Sequence, residues 1–443
     1  MKTPILDFLQ KYDNLNQTRL HMPGHKGGIK GTQFDITEVV GADSLFDANG
    51  IIDESENNLS ALYGTNFSLY STEGSTLSIK TMLALVLKFA ISNGKTPLIL
   101  ANRNVHSSFL YGVSLLDIQV EWIEEQRTCL FCSTIDGEKL EKQLSNMEVL
   151  PTAVYLTSPD YLGNILPIEQ ISKVCKKHQI LLIVDNAHGA YFNFLEKNIH
   201  PINLGADMCA DSAHKTLPAL TGGAYLHVSK NFDFFSKNEV KCVMKTFAST
   251  SPSYLILGSL DYVNKYLFWQ KNAFNECAKK VSEVKQLCLN LGFDLVGVEP
   301  LKITLSCKSF GYFGSEIALI LQKEKIIAEY FDKDFVVLMF SPLNKEKDFS
   351  KLKAVLKSIE RKPAKRKSEL KFYAPERKMT IKQALFSKEE KVDIKNAKGR
   401  IISSISVSCP PAIPLIFSGE VIDDNVIEIM NYYGIKDCLV IKE

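Results

Sequence analysis

Lys215 and Asp185 are the pair of residues with the clearest chemical meaning. Lys215 lies in Asp211-Ser-Ala-His-Lys-Thr216, thirty positions after Asp185, which closes the apolar run Ile180-Leu-Leu-Ile-Val-Asp185. That run reads as a buried parallel strand with a carboxylate at its C-terminal tip, and open α/β sheets bind ligands at such tips. A lysine there can condense with an aldehyde cofactor as a Schiff base, and the aspartate can keep a pyridine nitrogen protonated. Pyridoxal 5′-phosphate needs this pairing, because its ring is the electron sink and the protein tunes it. A solvated lysine and a turn-capping aspartate are the plain alternatives. The surrounding segments favour the cofactor.

Gly74, Ser75 and Thr76 sit just before a long apolar helix pattern. A glycine flanked by hydroxyls at a helix start can cradle a phosphate, since backbone N–H groups and the helix dipole both favour an anion. Simple N-capping explains the same residues. The chain lacks a GxxxxGK[ST] run, which argues against a nucleotide triphosphate. His106 follows the strand at 97–101 and therefore falls at the same sheet edge as Asp185, where an imidazole can stack on a flat ring. His188, three residues past Asp185, can reach a ring oxygen. Ser212 and His214 flank Lys215 and can donate to a phosphate.

These residues need a scaffold of alternating strands and helices. The pattern predicts helices over 55–63, 75–91 and 168–177, and strands over 97–101, 153–157, 180–185, 208–210 and 223–228. A βαβ rhythm of this kind implies a mostly parallel sheet with helices on both faces. The domain reading is an N-terminal arm at 1–45, a large cofactor-binding domain at 46–265 and a smaller α+β domain at 266–360. A basic linker at 361–372 and a C-terminal domain at 373–443 complete it. The arm carries Arg19-Leu-His-Met-Pro-Gly-His-Lys-Gly-Gly28, a loop whose His21, His25 and Lys26 suit a ligand-facing role.

Bulk composition narrows the classes. The 443 residues are 45% hydrophobic and 23% charged, with a formal net charge of +2, which is ordinary for a soluble globular chain. Such a balance gives no reason to expect a nucleic-acid or membrane partner. The run around 81–90 is interrupted by Lys88 and reads as a core helix, and no stretch approaches the ~20 apolar residues that span a bilayer. The N-terminus lacks a signal peptide's apolar region, which points to the cytoplasm. The ten cysteines are expected to be reduced thiols. Cys129-Leu-Phe-Cys132 is a lone CxxC without a second pair to complete a zinc site, so no metal is expected.

Taken in order, these segments resemble the Orn/Lys/Arg decarboxylases, pyridoxal-phosphate enzymes of the aspartate-aminotransferase fold. The matching runs are His21-Met-Pro-Gly-His-Lys26, Gly41-Ala-Asp-Ser-Leu45, Gly74-Ser-Thr76, His106, Asp185-Asn-Ala-His-Gly189 and Ser212-Ala-His-Lys215. Leu220-Thr-Gly-Gly223, Thr250-Ser-Pro-Ser-Tyr254 and Pro411 through Glu420 extend the likeness nearly to the end. It looks like the short form, without an N-terminal wing domain. The resemblance implies an α/β fold of type I, with a large domain around a mainly parallel, seven-stranded-type sheet. It implies that Lys215 carries the cofactor, Asp185 pairs with the pyridine nitrogen and His106 stacks on the ring. Gly74, Ser75, Thr76, Ser212 and His214 would then hold the phosphate. It also implies a homodimer or higher homo-oligomer with active sites at the interface, where Thr250 and Ser251 reach the neighbour's phosphate. Cys409, Ala412 and Ser418 depart from the usual pattern, which leaves substrate choice less defined than cofactor binding.

The same fold hosts aminotransferases, so the reaction rests on other residues. The chain has seven arginines and none between Arg127 and Arg361. The small domain therefore lacks the bidentate arginine that aminotransferases of this fold use to clamp a substrate carboxylate. A decarboxylase gains nothing from such a clamp, because a less polar pocket favours departure of neutral CO₂. The expected reaction is decarboxylation of a basic amino acid, arginine or lysine ahead of ornithine, to a di- or polyamine. Glu420 is the candidate carboxylate for the substrate's distal cation. An aminotransferase or amino-acid lyase is the alternative, and a non-catalytic regulator is disfavoured by the intact Lys215, Asp185 and phosphate loop.

Overall fold

The computed structural model describes residues 1–125, 127, 129–366, 370–404 and 412–442. In chain order the first seven strands are β1 (Phe67–Ser71), β2 (Leu98–Ala101), β3 (Gln119–Trp122), β4 (Ala153–Thr157), β5 (Leu181–Asp185), β6 (Met208–Asp211) and β7 (Ala224–Val228). Six more follow, β8 (Asp294–Val296), β9 (Lys302–Ser306), β10 (Tyr330–Phe331), β11 (Phe335–Met339), β12 (Glu389–Asp393) and β13 (Asp437–Ile441). The first four helices are α1 (Pro4–Asn14), α2 (Ile51–Tyr63), α3 (Gly74–Ser92) and α4 (Ser107–Leu116).

The chain divides into two compact units that do not follow chain order. One holds 1–97, 150–156 and 168–273, and the other holds 98–149, 157–167 and 274–443. This differs from a division drawn along the sequence, because residues 98–149 group with the C-terminal half.

In the first unit the strand order is β1-β7-β6-β5-β4. β5 and β6 are parallel, with Asp185 beside Ala210. β7 runs antiparallel to β6 and β1. A parallel return needs a crossover, usually a full helix, whereas the link from β6 to β7 carries only the single turn Ala213–Thr216. β5 is buried along its whole length, as its apolar run predicts. β1 is equally buried although it reads Phe-Ser-Leu-Tyr-Ser. Its Ser68 hydroxyl is satisfied by Thr65 and by His227 Nδ1, both at 2.7 Å, which is how a polar residue tolerates a buried strand. α3 is long and apolar enough to suit a bilayer by composition. Leu77, Met82, Leu83, Leu85 and Val86 are nevertheless buried against the sheet and its neighbours, so it is a core helix. The expected arm begins with α1, whose Ile5 and Leu6 N–H groups donate to Asp261 at 2.9 and 3.0 Å.

The second unit contains the parallel pair β2 and β3, an antiparallel sheet in the order β10-β11-β9-β8, and the antiparallel pair β12 and β13. One apolar cluster gathers Phe131, Leu162, Val337 and Ile429, and another gathers Ile402, Ile416, Ile422, Met430 and Val440. In this unit Cys129 and Cys132 form a disulfide, with Cα atoms 5.6 Å apart. This corrects the expectation of ten free thiols. The turn at 129–132 brings the two Cα atoms within the range a disulfide spans. Seven other cysteines are free among the described residues.

Candidate active site

The tips of β5 and β6 bring the lysine and the aspartate into one place. Asp185 ends β5 and is buried. Its Oδ1 accepts the Ala187 N–H at 3.1 Å and its Oδ2 accepts the Tyr155 hydroxyl at 3.3 Å. Burial raises its pKa above the ordinary carboxylate value, and the positive charge of Lys215 offsets part of that rise. Lys215 projects from the one-turn helix after β6, with Nζ 3.3 Å from His188 Nε2. His188 is carried on the turn Asn186–Gly189, closed by the Gly189 N–H on the Asn186 carbonyl at 2.7 Å. Gly189 is required there because a Cβ would lie 2.0 Å from Asn186 Oδ1.

The phosphate loop is built at the junction of β1 and α3. Gly74 takes the left-handed conformation, with φ 70°, and its N–H donates to Gly222 O at 2.7 Å. Gly222 is confined too, since a Cβ would meet the Thr72 carbonyl at 2.9 Å. No side-chain hydrogen bond caps the start of α3, so the N–H groups that follow Gly74 in its first turn can serve an anion. Ser212 donates to Ser75 Oγ at 2.9 Å, joining the loop to the end of β6. His214 Nδ1 bonds the Gly223 carbonyl at 3.0 Å, which leaves Nε2 as the nitrogen that reaches outward. Burial lowers the His214 pKa and favours the neutral ring. Thr216 Oγ1 is buried without a partner beside Lys215.

This donor set fits a phosphorylated pyridine aldehyde. The uncapped helix start and the hydroxyls suit the phosphate, Lys215 suits the aldehyde, and Asp185 suits a protonated ring nitrogen. Gly74, Ser75, Thr76, Asp185, His188, Ser212, His214 and Lys215 all lie in the first unit.

His106 and Glu420 belong to the second unit. His106 caps α4, with Nδ1 accepting the Ser108 N–H at 3.1 Å. Next to it, the Ser107 N–H donates to the Ala412 carbonyl at 2.9 Å. Glu420 corrects an expectation. It is 1% exposed, and Arg103 forks onto it with Nη1–Oε1 at 2.6 Å and Nη2–Oε2 at 2.9 Å. Phe417 N–H donates to Oε2 at 2.9 Å, and the guanidinium stacks 4.2 Å from the Phe417 ring. Both oxygens are committed to Arg103, so Glu420 is an internal clasp rather than a contact for a substrate cation. Thr250 and Ser251 are exposed. Cys409 and Pro411 lie outside the described residues.

Sequence reasoning did not single out Tyr155, which bonds Asp185, or Asn186, His200 and His227, which all bond Asp211. Their signal is faint in one dimension, since Asp211 and His227 occupy strand positions where apolar residues are expected.

The architecture is that of an α/β enzyme with a mainly parallel sheet and a lysine-bearing turn at its tips, the class to which pyridoxal-phosphate enzymes of fold type I belong. The sequence matches the family described as Orn/Lys/Arg decarboxylase, major domain, over residues 3–296, and its C-terminal domain over residues 365–437. The chain belongs to the Orn/Lys/Arg decarboxylase family and is an amino-acid decarboxylase. It is 28% identical to the uncharacterized protein YaaO of Bacillus subtilis, over 95% of this chain and 92% of that one. It is 25% identical to an arginine decarboxylase of the same organism, over 96% and 92%. The lysine decarboxylase LdcF of Francisella novicida superposes with a TM-score of 0.82 at 16% identity, covering 99% of this chain and 81% of that one.

Proposed function

We propose that this chain decarboxylates a basic amino acid, arginine or lysine ahead of ornithine, using pyridoxal 5′-phosphate, and releases the matching amine for polyamine formation. The observation that carries the reading is Lys215 Nζ 3.3 Å from His188, on the turn next to the buried Asp185. The similarity to arginine decarboxylase along nearly the whole chain supports arginine as the first substrate to test.

When bound, the cofactor supplies an electron sink for the bond broken at the substrate's Cα. Lys215 would anchor the aldehyde and, after CO₂ leaves, hold the proton that returns to Cα. His188 shares a proton with Lys215 Nζ and keeps that amine oriented. The Asp185 carboxylate would balance the charge on the ring nitrogen. Gly74, Ser75, Thr76, Ser212 and His214 would hold the phosphate, and the family resemblance would give His106 the ring-stacking role. The absence of any arginine between Arg127 and Arg361 supports decarboxylation over transamination, because no guanidinium there would pin the carboxylate that must depart. A homodimer is proposed as the working form. Leu20, Met22 and Val40 of the arm are 90%, 70% and fully exposed, which suits a surface that a second copy covers.

The test is CO₂ release by the cofactor-loaded protein, offered arginine, lysine and ornithine separately, with Lys215→Ala as control. Release from one substrate, lost in the control, supports the reading and names the substrate. No release from any of the three, despite Lys215-dependent cofactor uptake, contradicts it and favours transamination.

A further inference from the structure

Asp211 closes β6 with no exposed surface, yet its carboxylate is the most heavily bonded side chain near the site. Oδ1 accepts Asn186 Nδ2 at 2.7 Å and Cys209 Sγ at 3.4 Å. Oδ2 accepts His200 Nε2 at 3.0 Å and His227 Nε2 at 3.2 Å. Four donors meet the four lone-pair positions of one carboxylate. A carboxylate only accepts, so both imidazoles carry their proton on Nε2. His227 Nδ1 is engaged by the Ser68 hydroxyl at 2.7 Å, while His200 Nδ1 is buried without a hydrogen-bond partner. Burial pushes the Asp211 carboxyl up, but the two histidines outweigh it and hold it far below the usual carboxylate range.

The network leads to the cofactor side through covalent neighbours. Asn186 is bonded to Asp211 by its side chain and to the Ala210 carbonyl by its N–H at 2.9 Å. It directly follows Asp185 and begins the turn that presents His188 to Lys215. Ser212, which reaches Ser75, directly follows Asp211. Three cofactor-facing groups are thus one residue or one turn away from this carboxylate.

We propose that Asp211 is a positioning residue, which ties the Asn186–Gly189 turn to the end of β6 and so fixes Asp185, His188 and Ser212 for cofactor binding and for proton transfer at Lys215. This rests on the cofactor reading above. His200, Cys209 and Asp211 also form a metal-compatible group, with ligand atoms all within 4.8 Å of one another. The four lone-pair positions of the Asp211 carboxylate are already taken by donors, which leaves none of them for an ion.

The test uses the full chain, stripped of cofactor and titrated with pyridoxal 5′-phosphate. Asp211→Asn turns an acceptor of four hydrogen bonds into a group that presents N–H to donors. It should raise the cofactor dissociation constant on the order of tenfold, the scale of one lost charge-assisted bond. It should lower kcat with little change in KM, and shift the Lys215-dependent absorbance. His200→Gln keeps a donor and should retain wild-type affinity, whereas His200→Phe keeps the bulk without the donor and should behave as Asp211→Asn does. If Asp211→Asn does not fold, the two His200 variants decide. Unchanged affinity and absorbance in folded Asp211→Asn would overturn the proposal, as would identical behaviour of the two His200 variants. One equivalent of divalent metal retained through chelator dialysis would also overturn it. Wild-type protein that takes up no cofactor at all would sink the underlying reading instead, and this proposal with it.

Discussion

Asp185 and Asp211 end adjacent strands, are both buried, and are treated in opposite ways. Asp211 receives four donors and is held ionised, its pKa pushed far down by His200 and His227 against the cost of burial. Asp185 receives one backbone N–H and one tyrosine hydroxyl, and burial leaves its pKa raised. A carboxylate in a low-dielectric interior is costly unless its hydrogen bonds are complete. The complete one is suited to hold structure. The one short of donors is suited to receive a cation that arrives with a ligand, which is where perturbed groups cluster. The contrast separates the support from the chemistry within one sheet edge.

The most severe way to break that contrast is at the reacting amine. Lys215→Ala should reduce CO₂ release by about a thousandfold or more while leaving thermal unfolding near wild type. Asp185→Asn should cost on the order of a hundredfold in kcat/KM, the scale of one lost electrostatic partner at a reacting centre. Equal losses for Asp185→Asn and a surface Asp→Asn control would remove Asp185 from the site.

The Arg103–Glu420 pair extends the comparison to the other unit, where the fork is closed on both oxygens. Glu420→Ala leaves a buried guanidinium unpaired and should destabilise the protein by about 3–5 kcal/mol in denaturant unfolding. A normal unfolding midpoint with a much higher KM would instead restore Glu420 as a substrate contact.

Much of this was legible in the sequence, and the gaps have physical causes. β5 and the helix at 168–177 announce themselves through apolar periodicity, and the Lys215, Asp185 and Gly74 motifs fall where their elements place them. β1 was hidden because Ser68 and Ser71 look solvent-facing until His227 is placed beside Ser68. β3 alternates Gln, Val, Glu, Trp over only four residues, too short a signal to separate from a loop. The Asp211 hub is invisible in one dimension because its partners come from residues 186, 200, 209 and 227, which only the fold brings together. Glu420 was misread for the same reason, since Arg103 is 317 positions away.

A smaller effect sharpens the comparison with a third buried carboxylate. Asp261 accepts the Ile5 and Leu6 N–H groups and the Ser55 hydroxyl, yet burial still raises its pKa to about 6. A raised folded pKa means the native state holds the extra proton, so this group's contribution to stability is greatest below the unfolded carboxylate pKa. It falls as pH rises toward 6. Asp261→Asn should flatten that part of the curve of Tm against pH between about 4 and 6. An unchanged slope would show that Asp261 ionises normally.

The most direct test of the central claim is the affinity for pyridoxal 5′-phosphate measured across pH in wild type and in Asp185→Asn. Asp185 must be ionised to pair with the ring nitrogen, and burial has raised its pKa. Wild-type affinity should therefore fall as pH is lowered through that raised value, and the variant should bind more weakly with no such step. Superimposable profiles would contradict the account, because they would mean that Asp185 does not meet the cofactor.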